Sequence, residues 1–232
     1  IGGIQEGLGL DHLPYRIECY DISNLGDEDA VGSMVVYEAG IPARKEFRRF
    51  RIKGVQGQND TAMIEEVLTR RLTKLTDAAQ HDCDGKKETS GVRLDSFHKK
   101  PDLIIIDGGK AQLAAALKAM QQQGFWDIDV ASLAKRMEEV YLPGEKGTVS
   151  MPRDSEALHL LQRIRDEAHR YAIDYHRQQR SLRTRRSALD DIPGVGPKRK
   201  KYLMRHYGSL ARLAEASLDE LEALDFLDRR TA

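Results

Sequence analysis

Residues 103–107 read LIIID, and Gly108 and Gly109 follow directly. Four consecutive branched apolar residues are too few for an ordinary helix and too uniformly apolar for a strand with one wet face. The segment is therefore predicted to be a strand buried on both faces, of the kind that lies inside a sheet covered by helices. The glycines mark a turn at its end, so Asp107 is delivered at the tip of a buried strand. A carboxylate there has two readings: it caps the helix predicted to start near Lys110, or it ligates a cation. Upstream, residues 16–23 read RIECYDIS, a second short β-type run that also closes on an acid, Asp21, with Ser23 and Asn24 opening a polar turn. Oxygen ligands converging from the ends of two strands are what a hard divalent cation requires.

The pattern around these runs extends the α/β reading. Strands are expected at 16–22, 32–38 and 45–52 as an antiparallel meander, with Gly40 and Pro42 in the second turn. Asp60 and Thr61 open an amphipathic segment through about residue 75, with Met63, Ile64, Val67, Leu68 and Leu72 on one face. Residues 81–100 are polar and aperiodic and are expected to form a flexible surface insertion. After the buried strand come a helix over 110–123, strands near 129–134, 139–141 and 149–151, and a long helix over 155–183 carrying Leu158, Leu161, Ile164, Ala168 and Ala172 on one side. The order predicts an α/β domain with a mixed sheet flanked by helices, over residues 1–183. The last stretch, 187–232, breaks into short helical pieces around Pro193-Gly194-Val195-Gly196-Pro197 and Gly208, with Ser217 as a helix cap. It is expected to be a separate small all-helical domain, joined by an arginine-rich linker at 182–187.

Composition narrows the class without deciding it. With 232 residues, 40% of them hydrophobic, and no apolar stretch near membrane-spanning length, the expectation is a soluble protein with no membrane association. Cys19 and Cys83 lack metal-ligand spacing, which suits a reducing, cytoplasmic compartment. Acidic and basic residues balance at 37 each, yet the bases cluster at 44–53 and in the arginine-rich 177–186 segment, where a polyanion would be accommodated. A first residue Ile rather than Met suggests a piece of a longer polypeptide.

With Asp21 and Asp107 placed, the sequence resembles the C-terminal half of the UvrC family, the incision subunits of the bacterial UvrABC excision nuclease. The motifs that carry the resemblance are IECYDISN at 17–24, AVGSMVVYEAG at 30–40, RRFRIKGV at 48–55, DLIIIDGGKAQL at 102–113, RDEAHRYAI at 165–173 and IPGVGPKRK at 192–200, in family order. The resemblance implies an RNase H-like nuclease domain followed by a helix-hairpin-helix domain. It implies Asp21, Asp107, Asp60 and His169 as catalytic residues, with the three acids as metal ligands. Taken singly, Asp60 is also a plausible helix N-cap and His169 an ordinary helix-surface histidine. Oxygen ligands favour Mg²⁺ or Mn²⁺ over Zn²⁺. Strand alternation points Glu18 away from the face of Asp21 and leaves it out of the set.

Substrate holding falls to the terminal domain. Gly194 and Gly196 permit a tight turn whose amides approach phosphate at a helix start, with Lys198, Arg199 and Lys200 adding charge. Arg44, Lys45, Arg48, Arg49, Arg51 and Lys53 supplement this, although strand alternation places only about half of them on one side. The family's second hairpin is expected after residue 224, where the sequence instead reads DFLDRR. By resemblance, the reaction is hydrolysis of a phosphodiester 5′ to a lesion in damaged double-stranded DNA, within a complex with UvrB. The family's UvrB-contacting segment lies N-terminal to residue 1. Two other readings stay open: a different RNase H-like nuclease, such as a resolvase or hybrid cutter, and a catalytically silent DNA-docking fragment.

Overall fold

The structure is a computed structural model that describes residues 1–25, 29–55, 57–83, 96–134, 139–144, 147–190, 192 and 194–224. Two compact units divide it, Ile1–Asp174 and Tyr175–Ala232.

In the first unit a short helix α1 (Gly2–Leu8) leads into β1 (Arg16–Leu25), which pairs antiparallel with β2 (Asp29–Glu38) along its whole length. β3 (Ile41–Pro42) and β4 (Arg48–Arg51) both pair with the outer edge of β2. Helix α2 (Asp60–Cys83) follows, then β5 (Leu103–Asp107), α3 (Lys110–Gln122), β6 (Asp129–Leu133), β7 (Val140–Tyr141), β8 (Thr148–Val149) and α4 (Glu156–Asp190). The sheet order is β3-β2-β1-β5-β6-β7-β8, with β4 on β2; β5 is parallel to β1 and to β6, and the other pairs are antiparallel. This is the mixed sheet flanked by helices that the sequence predicts.

The LIIID run lies at the centre of that sheet because its side chains have no wet face to tolerate: Leu103 to Ile106 are all 1% exposed or less. On β1 the even-numbered residues face α2, where Glu18 meets Arg71, and the odd-numbered ones face α4, where Asp21 lies under His169. Gly32 on β2 shows how close the first layer comes, since a Cβ there would lie 2.6 Å from Val67 Cγ2 of α2. Arg16 and Asp102 pin the β1–β5 register: Arg16 N–H donates to the Asp102 carboxylate at 2.7 Å, and Asp102 N–H donates to Arg16 O at 2.9 Å.

Several boundaries differ from the sequence expectation. The predicted 45–52 strand begins with a 3-10 turn, Arg44–Glu46, and only Arg48–Arg51 extends. Glu46 turns inward there to meet Arg16 and Lys99. Helix α2 runs on to Cys83 and α4 to Asp190, through the stretch expected to be a linker. No Gly or Pro interrupts 156–190, so nothing in the local chemistry stops that helix. Most of the predicted surface insertion, 84–95, lies outside the described residues.

The second unit contains the end of α4, then α5 (Pro197–Tyr207), α6 (Leu210–Ala214) and α7 (Leu218–Glu222). Ser217 caps α7 as expected, accepting from Glu220 N–H while the Glu220 carboxylate accepts from Ser217 N–H. Among the described residues no helix is long and apolar enough to cross a membrane.

Candidate active site

The parallel register of β1 and β5 sets Cys19 beside Ile105, so two residues further along each strand Asp21 and Asp107 reach the same end and the same face of the sheet. That face is covered by α4, whose His169 comes over them. One ligand atom from each of Asp21, Asp107 and His169 can be chosen so that all lie within 4.8 Å of one another. Asp21 is only 5% exposed; its Oδ2 accepts a hydrogen bond from Ser23 Oγ at 2.8 Å and faces His169 Nδ1 at 3.6 Å.

Gly108 makes the delivery of Asp107 possible. A Cβ at that position would meet Gln112 Cγ at 2.9 Å, so a side chain there would have to displace Gln112 at the start of α3. The N-cap of α3 is Gly109, whose N–H donates to Gln112 Oε1 at 3.1 Å. Helix capping thus falls to Gly109 and Gln112.

Two carboxylates this close cannot both be charged cheaply. Burial, then the charge of Asp21 and a hydrogen bond to it, push the Asp107 carboxyl up to about 6, against the smaller downward pull of Arg165 and His169. A buried acid displaced this far by a second acid marks a candidate functional site. The donor set fits a hard divalent ion: two carboxylates and one imidazole converge, and the neighbouring thiol of Cys19 is held protonated by burial and by both acids. Asp21, Asp107 and His169 are the residues that could hold such an ion.

His169 is held in register by bonds from the sheet to its own helix backbone. Ser33, directly opposite Asp21 on β2, is fully buried and donates from Oγ to Ala168 O at 2.9 Å. Arg49 on β4 donates to Tyr171 O at 3.0 Å and stacks over the Tyr171 ring at 3.8 Å. The strand that pairs with Asp21 therefore grips the helix on one side of His169, and β4 grips it on the other. Ser33→Ala is expected to cost about 1 kcal/mol in a urea melt, the worth of one buried hydrogen bond. In the nuclease that the sequence resemblance implies, it should slow single-turnover nicking about 10-fold, since small misplacements of reacting groups are costly; an unchanged nicking rate would show that this bond does not position His169.

Asp60 is not brought into the group of three. It is the first residue of α2, half-buried, and the side chain that caps that helix is Asn59, which accepts from Ala62 N–H at 3.1 Å. Glu18 points to the opposite face, as alternation requires, and is consumed by a buried network with Arg16, Tyr20 and Arg71. Of the basic run at 44–53, Arg49 is occupied with α4 and Arg48 lies over Phe97. Sequence reading missed Ser23 and Ser33. Ser23 is two positions from Asp21 on one strand and so shares its face, a signal that was present; Ser33 becomes visible only once the β1–β2 register is known.

In the terminal unit Gly194 adopts φ +87°, a conformation that side chains rarely take, and Gly196 is the N-cap of α5 with Pro197 in its first turn. Arg199 Nη1 donates to Gly194 O at 2.9 Å and ties the turn to the helix start. Lys198 is exposed and Lys200 is half-buried, one position either side of Arg199. The stretch after residue 224, where the sequence reads DFLDRR in place of the family's second hairpin, lies outside the described residues.

Comparison with known proteins is consistent with these features. Residues 5–173 match the model of the UvrC RNase H endonuclease domain, and 187–232 match that of a SAM-like helix-hairpin-helix tandem. The chain is 45% identical to UvrABC system protein C of Thermobifida fusca over 99% of its own length and 36% of that protein. It is 46% identical to the protein of that name from Acidothermus cellulolyticus, over 99% of this chain and 37% of that one. It is also 46% identical to that of Mycobacterium tuberculosis, over 99% and 35%. The chain therefore spans about a third of the length of these relatives. With its α/β sheet of RNase H type, two acids and a histidine gathered at one end of that sheet, and a C-terminal helix-hairpin-helix match, this chain belongs to the UvrC family.

Proposed function

We propose that this chain is the nuclease and DNA-holding part of a divalent-metal-dependent DNA endonuclease of nucleotide excision repair. In this reading it hydrolyses a phosphodiester 5′ to a lesion in damaged duplex DNA, presented by a UvrB-DNA complex. The observation that carries the proposal is the convergence of Asp21, Asp107 and His169 on one sheet end.

A phosphodiester resists hydrolysis because its anionic oxygens repel the nucleophile. With Mg²⁺ or Mn²⁺ bound, the site would gain the positive charge that offsets this repulsion and a water of lowered pKa. Asp21 and Asp107 would hold the cation, with Ser23 and the β1–β5 register fixing their carboxylates. His169, with its side chain 39% exposed, faces both the acids and solvent. It is placed to move a proton at Nε2 or Nδ1, to the leaving oxygen or from the attacking water. Asp60 remains, in this scheme, the further acid that the family resemblance implies. In the terminal unit, Gly194, Gly196, Lys198, Arg199 and Lys200 grip phosphates without reading bases.

The test is nicking of supercoiled plasmid by the purified chain across Mg²⁺ and Mn²⁺ concentrations, with Asp21→Ala alongside. Nicks that need the metal and disappear in the variant are the expected result. Plasmid that is retained by the chain and never cut, at any metal concentration, would overturn the nuclease reading in favour of a DNA-docking module.

A further inference from the structure

One cationic side chain near the two acids has no place in the scheme above. Arg165 lies on α4 one turn before His169, on the same flank of the helix, and is only 8% exposed. Its Nε and Nη2 donate to Asp166 Oδ1 at 3.1 and 2.8 Å, but Asp166 is 67% exposed and is a solvent-screened partner. The other arm, Nη1, is buried and has no hydrogen-bond partner among the described residues. Leaving a charged donor in that state is costly unless an opposite charge nearby offsets it. Its neighbours on the helix do not: Leu161, Ile164 and Ala168 are buried and apolar. The carboxylates at the sheet end do: α4 covers the face that carries them, and Arg165 lies one turn from His169, whose Nδ1 is 3.6 Å from Asp21 Oδ2.

We infer that Arg165 is a positioning residue of the active site, a fixed buried cation behind Asp21 and Asp107 that offsets part of their charge and so sets how tightly the site holds a divalent ion. Nη1 is too enclosed to reach a DNA phosphate, so its effect is exerted on the acids. The logic is one of poise. Two close carboxylates without a counter-charge repel one another when empty and bind a cation too tightly when filled. Arginine suits the task better than lysine would, since it does not lose its proton on burial. Asp166 tunes the arrangement from outside by drawing off some of the arginine's charge.

The inference rests on the reading of Asp21, Asp107 and His169 as a metal site, and calorimetric titration of the intact chain with Mn²⁺ alone separates the two. At pH 8 the acids are ionised, and removing a nearby positive charge in Arg165→Met should tighten Mn²⁺ binding about 5-fold, the scale of a charge interaction at several ångströms. Arg165→Lys, which keeps the charge, should stay within about 2-fold of the parent by the same reasoning. Asp166→Asn, at an exposed site where folding is not at stake, should weaken binding about 2-fold because the arginine is no longer partly neutralised. Should Arg165→Met fail to fold, as circular dichroism would show, the lysine and asparagine variants still decide. An affinity unchanged in both Arg165→Met and Asp166→Asn, or a change in Arg165→Lys as large as in Arg165→Met, would overturn the inference and leave the metal site standing. A parent chain that binds no Mn²⁺ would overturn both.

Discussion

Asp107→Asn is expected to abolish metal-dependent nicking while making the metal-free protein more stable at neutral pH. The activity loss should be about 10³-fold, because the variant removes a charge from the pair proposed to hold the cation, and that electrostatic contribution is worth several kcal/mol. The stability gain follows from proton linkage. An acid whose folded-state pKa is raised, here from 3.8 to about 6, favours the folded state fully below pH 3.8 and loses that contribution as pH rises through 6. At pH 7.5 the native chain keeps two neighbouring carboxylates charged against their mutual repulsion. The full span of that displacement would be at most ~3 kcal/mol; screening of a group that partly meets solvent reduces it to roughly 1–2 kcal/mol. Asparagine removes the repulsion and can still donate to Asp21. In thermal scans with chelator the variant should therefore melt a few degrees above the parent at pH 7.5 and level with it at pH 4. Added Mn²⁺ should raise the parent's melting temperature and leave the variant's unmoved. A variant that nicks normally, or one that melts below the parent at pH 7.5, contradicts the pairing of the two acids.

The parts of this molecule that were legible beforehand are those whose cause is local. LIIID had to be a central strand because every side chain in it is apolar, and its acid had to emerge at the strand's end because two glycines follow. Asp21 was visible for the same reason. His169 was not, on residue chemistry alone: a histidine in a polar helix is usually a surface residue, and family resemblance was what singled it out. What stayed hidden depends on partners far away in sequence. Nothing in 44–52 announces that Glu46 will turn inward, because the cations it meets are Arg16 and Lys99. Asp60 and Asn59 are equally good caps by type, and only the backbone path decides between them. Arg165 and Arg71 read as ordinary charges on amphipathic helices, and both are buried.

Arg71→Met is expected to destabilise the first unit by about 3–5 kcal/mol, the cost of breaking a buried ion pair by removing one partner. Arg71 is fully buried and grips Glu18 with two arms, Nε to Oε2 at 3.1 Å and Nη2 to Oε1 at 2.8 Å; the acid is fully buried as well. Burial opposes the arginine's charge, but Glu18 more than offsets it and holds the guanidinium pKa above its ordinary value. The same side chain donates to Phe97 O at 3.0 Å and Lys99 O at 2.7 Å, so it also fastens the segment that leads into β5. Methionine fills much of the volume and supplies none of these bonds. Glu18 would keep Arg16 and the Tyr20 hydroxyl, at 3.1 and 2.7 Å, which holds the loss within the stated range. Against a typical domain stability of 5–15 kcal/mol, the loss is a large fraction of the whole and should appear as a shifted urea midpoint at unchanged slope. Glu18→Leu with Arg71→Met should recover part of it, because a matched apolar pair leaves no acid stranded. The effect should also be local to that side of the sheet: Asp21 and Asp107 face α4, so the residual folded protein should bind Mn²⁺ with the parent's affinity. A single Arg71→Met variant with the parent's urea midpoint would show that the pair contributes nothing to holding α2 on the sheet.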